Sequence, residues 1–106
     1  MELLAQIVRF VEEYQPPIVA AEFVDADGHC HTFVEKVAIF TPEWLRADSK
    51  YPHPGVIRCE VVGRERDGRN RELVRVTTDR PDSVESTEGQ SEFVVLPNQL
   101  SAPSFG

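Results

Sequence analysis

The sequence is poor in cysteine and has no long apolar run. Its 106 residues include two cysteines, Cys30 and Cys59, in no close-spaced motif, which excludes a disulfide-rich scaffold. We expect reduced packing thiols, with one disulfide between them as the alternative. No segment approaches the ~18 apolar residues of a membrane span. Glu2 and Arg9 interrupt the apolar stretch at the start of the sequence, so we expect no secretion signal, no membrane contact and a cytoplasmic location.

Motifs of the common enzyme classes are also missing. The sequence contains no G-x-S-x-G nucleophile turn, no phosphate-binding P-loop and no H-E-x-x-H zinc motif. A cysteine and a histidine could be paired on paper, but nucleophilic catalysis also needs an activating base and an orienting group. We therefore expect no enzyme activity, no catalytic residue and no cofactor.

Basic residues are in the minority. The chain has 11 lysines and arginines against 18 aspartates and glutamates, and its net charge of −7 does not attract nucleic acid through the total field. Apolar residues make up 41% of the chain, which suits one modest core. We predict a single domain over residues 1–100 and a disordered tail over residues 101–106.

Residues 2–14 have the apolar spacing of an amphipathic helix. Leu3, Ile7 and Val11 recur at helical intervals, and Pro16 and Pro17 would end the helix. We expect this helix to cover an open end of the protein's own sheet through those three residues. A dimer or partner surface is the alternative use of the same stripe.

After Pro17 the pattern changes to short strands. Extended segments are predicted at residues 18–24, 31–40, 56–62, 72–78 and 92–97. Between them we predict a short helix over residues 41–46 with Trp44 as a lid on the core, a stiff loop over 50–55, and a long mobile acidic loop over 79–91. The predicted fold is mainly β, a small antiparallel barrel or bent sheet of five to six strands with an N-terminal amphipathic α-helix.

The order of strands and turns resembles the second domain of translation elongation factors, and SH3-like and OB-like modules. The stretch DADGHCHTFVEKVAIFT, residues 25–41, is also similar to small stand-alone bacterial β-barrel proteins without an assigned activity. Both resemblances imply a small barrel. Neither carries over a functional residue.

The stretch DADGHCH, residues 25–31, predicts a hairpin with a three-residue loop that ends at Gly28. This register places His31 on the apolar face of Phe23, which a loop of two or four residues would not do. His29 and His31 then share a face while Cys30 points away, so the three cannot converge on a metal. We expect one exposed and one packed histidine, with a zinc site as the alternative.

A second hairpin, RERDGRNR at residues 64–71, is rich in arginine. A loop of two or four residues places Arg66 opposite Arg69 and Arg64 opposite Arg71. It also places Val62 opposite Leu73 and Glu60 opposite Arg75, and leaves Val74 and Val76 on a core face. An odd-numbered loop would mix those valines with arginines.

The predicted register gathers six arginines on one solvent face: Arg58, Arg64, Arg66, Arg69, Arg71 and Arg75. They could solvate a hairpin tip and protect a sheet edge. They could also form a dimer contact or an anion- or partner-binding ribbon, because the guanidinium group suits phosphate and carboxylate. RNA, an acidic protein surface and the protein's own 79–92 segment are the anions that fit.

The leading functional hypothesis is a non-enzymatic protein-binding or adaptor module, for which an immunity-like role would suit the small size and acidity. The alternative is a nucleic-acid-binding barrel that uses the arginine hairpin, although residues 64–71 contain no aromatic side chain for base stacking. A small enzyme or metal protein built on His29, His31 and Cys59 is the second alternative. The partner is expected to be a protein, and monomer and homodimer both remain open.

Overall fold

The computed structural model describes residues 1–103, which form eight strands and two single turns of 3-10 helix. The strands are β1 Glu2–Glu12, β2 Ile18–Val24, β3 Cys30–Lys36, β4 His53–Arg58, β5 Glu60–Arg66, β6 Glu72–Thr77, β7 Glu92–Val95 and β8 Leu100–Ser101. The 3-10 turns are Val37–Ile39 and Pro97–Gln99. Ser101, in the predicted tail, pairs with Glu2, and residues 104–106 lie outside the described residues.

The N-terminal segment is a strand, and the predicted helix over 2–14 is wrong. Burial alternates along its first half, where Leu3 and Ile7 are buried and Leu4 between them is exposed. Further along β1, two register shifts against β2, of the kind that β-bulges produce, change which face each residue takes. The shifted strand alternation spaces the apolar residues as a helix would, and this misled the sequence reading.

The first sheet is antiparallel and has the strand order β3-β2-β1-β4, with β8 beside the start of β1. The pairing of β1 with β4 runs from Glu2 opposite Arg58 to Ile7 opposite His53. Beyond Ile7, the only strand of the described residues that pairs with β1 is β2. The predicted stiff loop over 50–55 therefore contributes three residues to this ladder, because β4 begins at His53.

The second sheet is antiparallel with the order β5-β6-β7. Cys59 is the single residue between β4 and β5, and its N–H donates to the Met1 carbonyl at 3.0 Å. The predicted strand 56–62 is thus two strands that belong to different sheets.

The predicted closed barrel is also wrong, because neither of the two sheets in the described residues closes on itself. Loops satisfy part of the sheet edges instead. Ala26 N–H donates to the Val94 carbonyl, and Val56 N–H donates to the Phe40 carbonyl. The described residues contain no α-helix.

The two sheets meet through a cluster of aromatic rings. Phe93 of β7 packs edge-on against Phe23 at a centroid distance of 5.2 Å and lies 5.7 Å from Phe33. All three phenylalanines are buried, and smaller side chains of both sheets, such as Val19 and Val76, extend the core around them. Such aromatic pairs each add about 0.5–1.5 kcal/mol beyond the burial of their area.

Residues 41–46 do not form the predicted helix. The 3-10 turn occurs earlier, at Val37–Ile39, inside the segment predicted as a strand over 31–40. Trp44 is exposed instead of covering the core, and its neighbour Leu45 is buried in that place. Thr41 does accept the N–H of Glu43, at 3.2 Å, but no helix follows.

The acidic segment 79–91 is anchored to the core, contrary to the mobile loop that we predicted. Val84 and Ser86 are buried within it. The Thr78 hydroxyl donates to the Val84 carbonyl at 2.7 Å, and Thr87 N–H donates to the Thr32 carbonyl of β3 at 2.8 Å. The composition of the segment is polar, but one apolar side chain and these hydrogen bonds hold it across the edge of the first sheet.

Leu3→Ala and Leu4→Ala test the strand directly, since the two leucines are neighbours with opposite burial. We expect Leu3→Ala to lower the free energy of unfolding by about 2–5 kcal/mol, because it leaves a cavity in the core. Leu4→Ala should change it by less than about 1 kcal/mol, because that side chain is half exposed. Urea unfolding measures both. Equal losses from the two variants would contradict the strand.

Candidate functional site

The first hairpin is held by the side chain of Asp25. Its Oδ1 accepts the N–H groups of Asp27 and His29 at 2.9 and 3.0 Å. The backbone closes the loop through Asp25 N–H to the His29 carbonyl at 2.9 Å, and Gly28 takes a φ of +85°. Phe23 lies opposite His31 in the ladder, so the predicted three-residue loop and its register are confirmed.

The two histidines of this hairpin have different surroundings, as predicted. His29 is exposed, whereas His31 is mostly buried against the Phe93 ring at a centroid distance of 4.7 Å. His31 Nε2 lies 2.7 Å from Asp25 Oδ2. Burial would raise the pKa of Asp25, but hydrogen bonds from His31 and from the backbone of His29 and Asp27 bring it below its ordinary value.

No group of three or more metal-ligating side chains occurs within residues 1–103. Cys30 is exposed on β3 and Cys59 is buried between the sheets, and both are free thiols. Burial raises the pKa of both thiols, and Glu22 contributes to the shift at Cys30. Neither thiol is thereby activated as a nucleophile.

The second hairpin repeats the turn of the first. Asp67 Oδ1 accepts the N–H groups of Arg69 and Arg71, both at 2.9 Å, and Asp67 N–H donates to the Arg71 carbonyl at 3.1 Å. Asn70, with a φ of 62°, takes the position that Gly28 holds in the first loop. Backbone and side-chain hydrogen bonds from Arg71 lower the pKa of Asp67.

The predicted register of this hairpin is wrong. Arg66 lies opposite Glu72, Arg64 opposite Val74 and Gly63 opposite Arg75. The loop therefore has three residues, the odd number that we rejected. A register shift between Val61 and Gly63 restores the apolar pairing, with Val61 opposite Val76. The prediction assumed that side chains alternate regularly between the two faces along β5, and the bulge interrupts that alternation.

The six predicted arginines do not share one face. Arg58 lies on β4 in the other sheet, and Arg71 lies at the end of the turn. Arg64 and Arg75 occupy successive positions of the β5–β6 ladder, so their side chains point to opposite faces of the sheet. Whether any of them binds an external anion stays a prediction, but the ribbon that motivated it is divided.

Most of these guanidinium groups have partners inside the chain. Arg58 Nε donates to Asp82 Oδ2 at 2.9 Å, and this carboxylate raises the pKa of Arg58. The other contacts are Arg64 with Glu72 at 3.6 Å, Arg66 with the Asn70 carbonyl at 3.0 Å, Arg71 with Asp67 at 2.8 Å, and Arg75 with Glu65 at 3.3 Å and Glu92 at 3.6 Å. Two of these partners, Asp82 and Glu92, belong to the acidic 79–92 segment. Within the part of the chain that is described, the Arg69 guanidinium forms no ion pair.

Arg71 also ties the two hairpin tips together. Its Nη1 donates to the Ala26 carbonyl at 3.1 Å, and its Nη2 lies 3.9 Å from Asp27 Oδ1. The cleft between the tips has a volume of about 510 Å³ and includes Asp27, Asp67, Arg69 and Arg71 in its lining. Its two carboxylates balance its two guanidinium groups, so the cleft has no excess charge for an anion.

A different surface, the aromatic groove, was not found from the sequence. One wall is formed by Phe10, Tyr14 and Pro17 and the other by Trp44, Leu45 and Arg46, around a volume of about 420 Å³. Tyr14 and Trp44 are 62% and 61% exposed, more than any other large apolar side chain described. The sequence pattern predicted Tyr14 on a helix and Trp44 as a lid on the core, so it gave no indication that the two side chains line one groove.

Hydrogen bonds hold in place the wall of the groove that contains Trp44 and Arg46. The Tyr51 hydroxyl donates to the Arg46 carbonyl at 2.7 Å, and Arg46 N–H donates to Ser49 Oγ at 2.8 Å. The Glu43 carboxylate, next to Trp44, contacts His53 Nε2 of β4. On the other wall, the nearby Glu12 carboxylate raises the pKa of Tyr14. The backbone that carries Trp44 is therefore supported at the neighbouring Arg46.

Comparisons of the chain with protein-family models, with curated proteins and with solved structures found no match. The resemblance to elongation-factor domains and to small bacterial barrels stays a prediction. Among the described residues, no helical segment has the length and apolarity that crossing a membrane would require.

Asp25→Asn tests the turn through its pH dependence. Because the pKa of Asp25 is lower when folded, its carboxylate stabilises the fold at pH values above its unfolded pKa, and this is lost as the pH falls through the folded pKa. We expect Asn to cost about 1.5–3 kcal/mol at neutral pH, the range for hydrogen bonds to a charged group. The deficit should shrink as wild-type Asp25 becomes protonated. Urea unfolding at neutral and acidic pH measures it, and a deficit independent of pH would contradict this role.

Proposed function

We propose that this domain is a non-enzymatic protein-binding module and that the aromatic groove is its contact surface. The observation that carries the proposal is the pairing of Tyr14 and Trp44, both well exposed, across one groove that also includes Arg46. Tryptophan, tyrosine and arginine are the residues that most often dominate the binding energy of protein interfaces. The other exposed apolar side chains are aliphatic or Met1.

The charges at the groove favour a protein over a nucleic acid. Aromatic rings can stack on bases, but single-strand sites combine such rings with a basic channel for the backbone. Glu13 lines the groove and Glu12 precedes it at the end of β1, so both carboxylates would repel phosphates, and the net charge of −7 adds to this. The arginines expected to attract phosphate mostly face carboxylates of the chain itself.

We further propose a cytoplasmic location. Its support is that Cys30 and Cys59 are free, with Cys30 exposed, as is usual where thiols stay reduced. An immunity-like role would be one form of the same function, in which the groove grips the protein that is inhibited.

A pull-down with the double variant Tyr14→Ser and Trp44→Ser tests the proposed surface. The bait is the purified domain, and the prey is a lysate of the source organism. We expect the wild type to retain a specific protein, and the double variant to retain at least tenfold less of it. The reason is that removing two aromatic anchors weakens the binding free energy by more than about 2 kcal/mol. Quantitative mass spectrometry of the retained proteins measures the loss.

The matched control is Leu4→Ser with Val62→Ser, two half-exposed apolar side chains that lie outside the groove. Circular dichroism checks that both double variants fold. The same proteins retained by wild type and groove variant, or equal losses from the control, would refute the groove as the contact surface.

A further inference from the structure

The second half of β1 has an open edge beside the aromatic groove. The ladder with β4 ends where Ile7 lies opposite His53, whereas the ladder with β2 continues to Glu12 opposite Ile18. Within the described residues, no strand pairs with residues 9–12 on the side of β1 away from β2. Phe10 of this half lines the groove. Unpaired backbone groups at such an edge are a template for an additional strand.

The edge carries one positive and one negative side chain, Arg9 and Glu12, so its charges are complementary to those of an antiparallel copy of the same edge. Arg9 lies opposite Ala20 and Glu12 opposite Ile18, and these β2 residues are two apart and share a face. The register shift between Phe10 and Glu12 therefore brings Arg9 and Glu12 onto one face, although they are three apart in sequence. The Arg9 side chain forms no ion pair within residues 1–103.

An antiparallel pair of two such edges must obey two-fold symmetry. The two-fold axis stands perpendicular to the sheet, and residues that face each other across it share one face. With the axis at Phe10 and Val11, Arg9 of one copy faces Glu12 of the other on the same face, and the reverse pair forms equally. A strand without the register shift would place Arg9 and Glu12 on opposite faces.

We propose that the open edge of β1 pairs with the same edge of a second copy of this chain, and so forms a two-fold dimer across residues 9–12. The inference rests on the proposed function, because it names a second copy as the protein that lies along the wall of the groove formed by Phe10 and Tyr14. Tyr14 and Trp44 then flank the added strand. The ladder is short and interrupted by the bulge, so the dimer dissociates on dilution.

Sedimentation velocity over a series of protein concentrations tests the proposal. We expect a wild-type mass that rises from 12.0 kDa toward twice that value with concentration. Arg9→Glu should leave a monomer throughout, because two glutamates then face each other at both ends of the pair. Arg9→Glu combined with Glu12→Arg should restore the dimer, because the charge pairs are exchanged.

The matched control is Arg69→Glu, which makes the same change of net charge at an exposed arginine outside the groove. It should dimerise as the wild type does. A wild type that stays monomeric at every concentration, a dimer that Arg9→Glu leaves intact, or a charge exchange that fails to restore it would each overturn the proposal. The pull-down separates the two proposals. If the wild type is a monomer but the variant Tyr14→Ser with Trp44→Ser no longer retains a lysate protein that the wild type retains, the dimer is refuted and the groove is not.

Discussion

The packing of Phe93 against the first sheet is the interaction on which the rest of the structure depends. Its ring contacts Phe23, Phe33 and His31 across the interface, while its backbone belongs to β7 of the second sheet. His31 in turn reaches Asp25, whose side chain closes the first hairpin. The junction of the sheets, the buried histidine and the hairpin turn thus form one connected unit.

That unit also explains which surfaces are left for function. The Arg71 guanidinium donates hydrogen bonds to Asp67 and to the Ala26 carbonyl, and so joins the second hairpin to the first. The acidic 79–92 segment takes up Arg58 and Arg75. These charges stabilise internal contacts. The aromatic groove and the open edge of β1 are exposed features of the described residues that these internal contacts do not occupy.

Short-range turn chemistry could be read from the sequence, but the effect of bulges could not. The loop at Asp25 to Gly28 was predicted because aspartate and glycine have distinct positions in it, and its register followed. Asn70 fills the glycine position of the second loop and was not recognised there. In β1 and β5, register shifts change the alternation of faces, so a strand resembled a helix and a divided set of arginines resembled a ribbon. At Cys59 the chain passes from β4 in the first sheet to β5 in the second, and this change of sheet is why the fold is not one barrel. No turn residue in the sequence marks this point.

The most direct test of this account is a double-mutant cycle between the two sheets, made with Phe23→Leu, Phe93→Leu and their combination. The free energy of unfolding of each is measured in urea. We predict that the two losses are not additive and that the coupling is about 0.5–1.5 kcal/mol, as for an edge-to-face aromatic pair. Additive losses within error would show that Phe23 and Phe93 do not contact each other, and the junction of the two sheets would then be wrong.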